Sequence, residues 1–256
     1  MAIYAISDLH LSHAAPKPMD IFGPAWENHT EKIRSRWEET VTKADTVLMP
    51  GDLSWGMRLS QARPDLDFVA SLPGKKILTR GNHDYWWQRQ ATNRMQRSID
   101  RSLIFLQGTS TVVGDAGITG TRGWRVDWEL DERRGDGETG RLGEYQPSTI
   151  NHQPLTINHP ENDRILKREL AYLEKGLQSI PGTVDTRIAM LHYPPFDEKL
   201  QPNEFTRILH EYSVDIVVYG HIHLGLGSWL EGDVDGIMYH LVSADIVDFT
   251  PRLILP

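Results

Sequence analysis

The 256-residue sequence predicts a layered α/β fold with several parallel strand pairs. One observation is that short apolar, β-branched runs recur along the chain, and most are bounded by Gly, Asp, Asn or Pro. The second is that segments of helical periodicity lie between these runs. The predicted strands are Ile3–Ser7, Thr46–Pro50, Lys76–Thr79, Leu103–Leu106, Arg187–Leu191, Ile216–Tyr219 and Met238–Val242, and the predicted helices are at about residues 30–43, 60–71, 86–98, 162–179 and 203–212.

Several residues define the ends of these elements. Asn203 is a suitable N-cap for the last predicted helix. Trp86 and Trp87 stand where the third predicted helix begins, and core packing is favoured over stacking on a substrate base. The tail from Gly236 to Leu255 has only strand-like patterning, which predicts a second sheet region instead of further alternation.

The length predicts a single domain over residues 1–256, because large α/β units of this size fold as one. The segment at about residues 124–160 is charged, punctuated by Gly and Pro, and has little periodicity. A loop this long inside a compact domain is usually a functional lid or disordered. Trp124, Trp128 and Tyr145 favour a folded cap because disordered segments are poor in aromatic residues, and both alternatives stay open.

Composition excludes several classes of function. The chain contains no cysteine, so any metal must be held by nitrogen and oxygen ligands. A formal charge of −8 provides no general attraction for nucleic acid or an anionic membrane, although a local basic patch is compatible with it. No apolar run approaches the roughly 18 residues of a membrane span, and the first residues enter a strand without a signal-peptide pattern. We therefore expect a soluble, cytoplasmic protein that does not contact a membrane, and its oligomeric state is left open.

Polar clusters follow five of the predicted strands. In open α/β sheets ligands bind beyond the carboxyl ends of the strands, so such clusters should converge on one site. A turn explains any one of them, because Gly, Asn and Asp favour turns, but turns do not require convergence. The clusters are Asp8-Leu9-His10, Gly51-Asp52, Gly81-Asn82-His83-Asp84, His192 and Gly220-His221-Ile222-His223.

The residue types in these clusters are those of a dinuclear metal centre. Carboxylate oxygens, imidazole nitrogens and one amide oxygen suit divalent transition metals, and Mn, Fe, Zn, Co and Ni are all compatible with them. In Asp8-x-His10 and His221-x-His223, one intervening residue places both side chains on the same side of an extended segment. One short stretch can thereby supply two ligands.

The ordered set D-x-H, G-D, G-N-H-D, H and G-H-x-H, which runs from residue 8 to residue 223, resembles the calcineurin-like metallophosphoesterases. This superfamily includes Ser/Thr protein phosphatases, purple acid phosphatases, cyclic-nucleotide phosphodiesterases and nucleases. The resemblance implies a four-layer α/β/β/α sandwich of two mixed sheets, with two divalent metal ions at the sheet edges. Mn is the metal we choose for assay.

The resemblance also implies a role for each residue. Asp8, His10, Asp52 and His223 would bind one metal, while Asp52, Asn82, His192 and His221 would bind the other, so that Asp52 bridges them. His83 would protonate or hydrogen-bond the leaving-group oxygen, and Asp84 would orient the loop or a neighbouring group. Two such ions with two aspartates and a bridging hydroxide carry a net charge of about +1, which attracts a phosphate.

The sequence departs from one branch of this superfamily. The protein phosphatases carry G-D-x-x-D-R-G after the second strand, where the later Asp supports the catalytic histidine and the Arg binds phosphate. Here Trp55 and Gly56 stand at those positions, which argues against a protein phosphatase of that type. The candidates for the phosphate-binding cation are Arg80, Arg122 and Arg125.

The predicted function is hydrolysis of a phosphomonoester or phosphodiester, with a small phosphate ester as the partner. The attack would come from a metal-bridging hydroxide, with His83 assisting the leaving group. A metal-dependent nuclease is the alternative within the same chemistry, and the acidic balance of the chain disfavours it. A non-catalytic scaffold with the same fold is the alternative from another class, and the retained His83 disfavours it.

Overall fold

The computed structural model describes residues 1–14, 16–88, 92–124, 160–197, 199–225 and 228–256. In these ranges the strands are β1 (Ile3–Ala5), β2 (Thr46–Pro50), β3 (Lys75–Thr79), β4 (Leu103–Phe105), β5 (Ser110–Val113), β6 (Ala116–Thr121), β7 (Thr186–Leu191), β8 (Ile216–Tyr219), β9 (Gly232–Val234), β10 (Ile237–Leu241) and β11 (Arg252–Leu255). The α-helices are α1 (His29–Thr40), α2 (Leu59–Ser71), α3 (Thr92–Gln96), α4 (Pro160–Gln178) and α5 (Glu204–Glu211). Short 3-10 turns cover Asp20–Phe22 and Pro24–Trp26.

The strands form two mixed sheets. The five-stranded sheet has the order β11-β1-β2-β3-β4, in which only β11 is antiparallel to its neighbour. The six-stranded sheet has the order β5-β6-β7-β8-β10-β9, with parallel pairing from β6 to β10 and antiparallel strands at both edges. Parallel strands joined through helices all end at the same edge of their sheet, so each sheet presents one edge of carboxyl ends.

Helices cover the outer faces of both sheets, which confirms the predicted α/β/β/α sandwich. Trp37 of α1 and Leu66 of α2 pack on the outer face of the five-stranded sheet. Leu173 of α4 and Leu209 of α5 pack on the outer face of the six-stranded sheet. Between the sheets lies a third apolar cluster, to which both sheets contribute through Ile3, Ala5, Leu48, Ile77, Ile118, Ile188, Met190, Ile216 and Val218. Burial on both faces explains why these strands are continuous apolar runs.

The prediction for the tail was right about the strands and wrong about the sheet that the last strand joins. Residues 237–241 form β10 in the six-stranded sheet, but the chain then turns through residues 244–250. It returns to the five-stranded sheet, where β11 pairs antiparallel with β1. A strand pattern does not show which sheet the strand joins, because that choice depends on contacts distant in sequence.

The sequence also failed to predict the hairpin of β5 and β6. Two glycines in β6 lower its intrinsic strand propensity. Gly120 is nevertheless required by close packing, because a Cβ atom there would lie 2.2 Å from Cγ2 of Thr79 on the other sheet and 2.9 Å from Cβ of Met190. The missed strand is one of those that position the candidate site.

The third predicted helix is shorter than expected at its beginning. Trp86 and Trp87 lie in a turn, where the backbone N–H of Trp87 donates to the carbonyl of Asp84, and the described helical residues are Thr92–Gln96. Both indoles are buried, and the Trp87 ring meets the Phe105 ring edge-on at 4.7 Å, so the preference for core packing is confirmed.

In the ranges that the structure describes, no helix is both long and apolar enough to cross a membrane. Within the segment predicted as an insertion or lid, residues 125–159 lie outside the described residues. Its role and the single-domain organisation stay predictions.

Replacing Asn203 by Ala is expected to lower the free energy of unfolding by about 1 kcal/mol. The Asn203 side chain accepts hydrogen bonds from the backbone N–H groups of Phe205 and Thr206, and the Thr206 hydroxyl accepts one from the Asn203 N–H. Urea unfolding measures the difference. Asn203→Asp retains the acceptor oxygen and should keep nearly all of the stability, so an equal loss in both variants would contradict the capping role.

Candidate metal centre

The predicted polar side chains lie together where the carboxyl ends of the two sheets meet. Beyond β1, the backbone N–H of Ser7 donates to the carbonyl of Val242, and the N–H of Ala244 donates to the carbonyl of Ser7. These two bonds connect the end of β1 in one sheet with the end of β10 in the other. The side chains that follow β1, β2 and β3 therefore face those that follow β7 and β8.

The loop after β1 is held against the loop after β2. The backbone N–H groups of Asp8 and His10 donate to the carbonyls of Gly51 and Asp52, both at 3.0 Å. Asp8, His10 and Asp52 all have left-handed backbones, with φ of 55°, 48° and 53°. Such conformations cost on the order of 1–3 kcal/mol each for residues other than glycine and concentrate at functional sites.

Glycines make room for the carboxylates. A Cβ atom on Gly81 would lie 2.0 Å from Oδ1 of Asp52, and one on Gly220 would lie 2.2 Å from Oδ2 of Asp8. Neither position therefore accepts a side chain while the carboxylate keeps its place. Steric hindrance by the two aspartates therefore explains why the G-N-H-D and G-H-x-H motifs begin with glycine.

Among the residues that the structure describes, two groups of side chains have the geometry to hold a cation, and Asp8 belongs to both. In the first group, Nε2 of His10 is 4.0 Å and Nε2 of His223 is 3.8 Å from Oδ1 of Asp8. The second group combines Asp8 with Asp52 and His192. Within each group the potential ligand atoms all lie within 4.8 Å of one another.

Asp52, a member of the second group, also lies close to His10 of the first group. Its Oδ2 atom is 3.9 Å from Nε2 of His10 and 3.6 Å from Nε2 of His192. Oδ1 of Asn82 lies 2.5 Å from Nε2 of His192 and 3.1 Å from Nδ1 of His221. All the side chains predicted as metal ligands are thus brought together, although the assignment of each to one ion stays a prediction.

Burial shifts the pKa values of four candidate ligands towards their neutral forms. Desolvation raises the pKa of Asp8 to about 6 and, together with the charges of Asp8 and Asp84, holds the pKa of Asp52 well above its ordinary value. Desolvation also holds the pKa values of His10 and His192 well below the usual range. Neutral imidazoles are the form that binds metals, and a bound cation would offset the cost of burying two carboxylates.

The donor set fits divalent cations. Buried or partly buried carboxylate oxygens, imidazole nitrogens and the amide oxygen of Asn82 face one another. Oxygen and nitrogen ligands without sulfur suit Mn, Fe, Zn, Co and Ni alike, so these side chains do not select one metal.

Asp245 is a residue that the sequence analysis missed. Its Oδ1 lies 2.9 Å from Nδ1 of His223, and its Oδ2 accepts the backbone N–H of Leu224 at 3.0 Å. Burial alone would lower the pKa of His223, but the contacts with Asp245 and Asp8 outweigh it and raise that pKa. The bond turns the opposite ring nitrogen of His223 towards Asp8. The strand-end rule applied to the run Met238–Val242 would have found this carboxylate.

Two serines support Asp8. The hydroxyls of Ser7 and Ser243 both donate to its Oδ2 atom, and both side chains are fully buried. The backbone N–H of His221 also points at this carboxylate. These contacts orient Asp8 so that Oδ1 faces His10 and His223.

Asp84 joins the loops that follow β2 and β3. Its carboxylate accepts backbone N–H groups of Gly81, Asp52, Leu53 and Ser54 at 2.8 to 3.2 Å. It also accepts the indole N–H of Trp86. These contacts support the predicted loop-orienting role, whereas direct participation in catalysis stays a prediction.

His83 lies at the more open side of the cluster. Its Nε2 is 3.9 Å from Oδ2 of Asp52, and about a quarter of its side chain is exposed. The Trp55 ring lies 4.4 Å from the His83 ring and stacks on His10 at 4.9 Å. An indole therefore packs against His83, at the sequence position where the protein phosphatases carry the supporting Asp.

The three candidate arginines have different positions. Arg80 is buried, and its Nε donates to the carbonyl of Asp84. Arg122 is also buried and follows β6 directly. Arg125 lies outside the described residues.

Comparisons with known proteins agree with these observations. A model of the family described as calcineurin-like phosphoesterase matches residues 1–225, a range that contains every candidate metal ligand. The Gene 66 protein of Mycobacterium phage L5 is 35% identical over 78 residues, which are 30% of this chain and 37% of that protein. The Gene 66 protein of Mycobacterium phage D29 is 36% identical over 83 residues, which are 32% and 40%. The chain thus matches about two fifths of the length of these relatives.

A solved structure extends the likeness over the whole chain. Phosphopantetheinyl Hydrolase (PptH) from Mycobacterium tuberculosis matches with a TM-score of 0.61 at 16% identity, covering 100% of this chain and 96% of that one. At this identity the match shows a shared fold.

Replacing Asp245 by Asn is expected to weaken metal binding by about 10- to 100-fold, because the carboxylate that orients His223 loses its charge. Isothermal titration of the metal-stripped protein with Mn²⁺ measures the affinity. Asp248→Asn is the matched control, since Asp248 is exposed and pairs with Arg36. Equal metal affinities in the two variants would contradict a role of Asp245 in metal binding.

Metal affinity is also expected to fall when the pH is lowered from 7 to 5. Asp8, with a pKa of about 6 before metal binds, must lose its proton to become a ligand, and the raised pKa of Asp52 acts in the same direction. Each displaced proton reduces the affinity about tenfold per pH unit below the pKa. Titration in two buffers of different ionisation enthalpy counts the protons released. A constant affinity over this range would contradict the raised pKa values.

Proposed function

Because the chain belongs to the calcineurin-like phosphoesterase family, we propose that it hydrolyses a phosphomonoester or phosphodiester with two divalent metal ions at the site described above. The observation that carries this proposal is the convergence of oxygen and nitrogen ligands from five strand ends around Asp52. Bound divalent ions would supply a nucleophile from water near neutral pH and neutralise the charge that develops on the phosphoryl group.

Seven side chains would hold the two ions. Asp8, His10 and His223 would bind one ion, and Asn82, His192 and His221 would bind the other. Asp52 would contact both, because its Oδ2 lies between His10 and His192. Manganese is our first choice for reconstitution, and Fe, Zn, Co and Ni fit the same nitrogen and oxygen ligands.

His83 would assist the departure of the leaving group. Its Nε2 faces Asp52, and its partly exposed ring gives a substrate access to it. An imidazole can hold a proton near neutral pH and donate it to an oxygen as the ester bond breaks. The packing of Trp55 against the ring fixes the orientation of His83, which lets the proton point at a fixed position.

The proposal names the substrate only as a phosphate ester. The name of PptH makes phosphopantetheinyl esters one class worth assaying, although the match with that protein shows the fold alone. A cytoplasmic location likewise stays a prediction.

Replacing His83 by Ala is expected to reduce kcat by about 10² to 10⁴-fold while the bound metal is retained, because His83 would act on the leaving group and not as a ligand. The measurement is hydrolysis of p-nitrophenyl phosphate and bis-p-nitrophenyl phosphate by metal-stripped protein after Mn²⁺, Zn²⁺, Ni²⁺ or Fe²⁺ is restored. Metal content is determined in parallel.

His210→Ala is the matched control, since this histidine is exposed on α5. Metal-dependent turnover that falls only in the His83 variant would support the phosphoesterase activity and the role of His83 in it. Tight metal binding without turnover of either ester or of phosphopantetheinyl esters would instead favour a scaffold.

A further inference from the structure

Arg122 is a buried cation at the edge of the candidate metal centre. Only 3% of its surface is exposed, and among the described residues its Nε, Nη1 and Nη2 atoms have no hydrogen-bond partner. A guanidinium group cannot escape this cost by losing its proton, because it stays charged in proteins. Burial of an unpaired charge is strongly unfavourable, so the position calls for an anion.

The register of the six-stranded sheet places Arg122 beside the candidate ligands. Thr121, Leu191 and Tyr219 end their strands side by side. The next residues are Arg122, His192 and Gly220. The backbone N–H of His192 donates to the carbonyl of Arg122 at 3.0 Å, and that of Gly220 donates to the carbonyl of His192 at 3.2 Å. Arg122 thus follows β6 at the position where the candidate ligand His192 follows β7.

A series of ring contacts connects Arg122 with the metal centre. The guanidinium carbon lies 4.7 Å from the centre of the Trp124 ring, and Trp124 meets Tyr193 at 5.4 Å. Tyr193 in turn lies 4.3 Å from the ring of His221. A planar cation stacked on an indole keeps its edge donors free for an oxyanion.

Arg80, the other described candidate, differs from Arg122 in its contacts. The Nε atom of Arg80 donates to the carbonyl of Asp84. No guanidinium nitrogen of Arg122 has a hydrogen-bond partner in the described part of the chain, so Arg122 is the candidate that we choose.

We propose that Arg122 binds the non-ester oxygens of the substrate phosphoryl group, an inference that rests on the proposed function. The phosphatases of this superfamily with the G-D-x-x-D-R-G motif place this cation after the second strand. Here it would come from the end of β6, in the other sheet. Two parallel N–H donors of a guanidinium match two oxygens of a phosphate, and such charge-assisted bonds are among the strongest available.

The test is binding of inorganic phosphate, the product of monoester hydrolysis, measured by isothermal titration. Wild type, Arg122→Met and Arg122→Lys are compared in the metal-loaded form at constant ionic strength, with metal content checked in each. We expect Arg122→Met to bind phosphate about 10- to 100-fold more weakly and Arg122→Lys to be intermediate, because lysine keeps the charge but loses the fork. Arg207→Met, which removes an exposed arginine paired with Glu211, should bind as the wild type does. Equal affinities in wild type and both Arg122 variants would overturn the proposal.

A second readout is the thermal stability of the metal-stripped protein without phosphate. If Arg122 has no anionic partner in the chain, Arg122→Met should be at least as stable as the wild type. A clear loss of stability in Arg122→Met that Arg122→Lys does not show would mean that a carboxylate of the chain already neutralises Arg122, which would also overturn the proposal. Should Arg122→Met fail to fold, Arg122→Lys still reports on phosphate affinity, and an affinity equal to that of the wild type would overturn the proposal.

The outcome is separable from that of the proposed function. If turnover depends on metal but phosphate affinity does not depend on Arg122, the phosphoesterase function is supported and the role of Arg122 is contradicted. If phosphate affinity depends on Arg122 but no ester is hydrolysed, the role of Arg122 is supported and the phosphoesterase function is contradicted.

Discussion

The pairing of the chain beyond β1 with the chain beyond β10 is the contact on which the site depends. Two backbone hydrogen bonds of Ser7 connect the two sheets at their carboxyl ends. Without that connection, the ligands of one sheet would not face those of the other. Ser7 and Ser243, which form this pairing, also donate to Asp8, so one contact both joins the sheets and orients a carboxylate.

The site combines strain and burial that favour a bound cation. Asp8, His10 and Asp52 have left-handed backbones, and two of these residues are buried aspartates. Both features cost free energy when no cation is bound. A network of backbone hydrogen bonds, with the Asp84 carboxylate at its centre, stabilises the loops in that arrangement. A rigid, preorganised set of ligands is what a metal centre needs, because little reorganisation then opposes metal binding.

Charge is distributed unevenly around this centre. The side near His223 carries Asp245, which orients that histidine. The side near His192 carries Arg122, whose guanidinium lacks a partner among the described residues. Under the proposed function, Asp245 would orient a metal ligand at one edge and Arg122 would attract the phosphate at the other.

The sequence by itself determined the alternation of strands and helices, the residue types of the ligands and their positions at strand ends, because period and turn chemistry are local. It also indicated the family, through motifs such as D-x-H and G-H-x-H. Only the tertiary structure decided that β11 returns to the first sheet, that the glycine-containing β6 is a strand, and that Asp245 contacts His223. Each of these depends on partners distant in sequence. For the same reason, Arg80 and Arg122 were equivalent candidates in the sequence and differ in the folded protein.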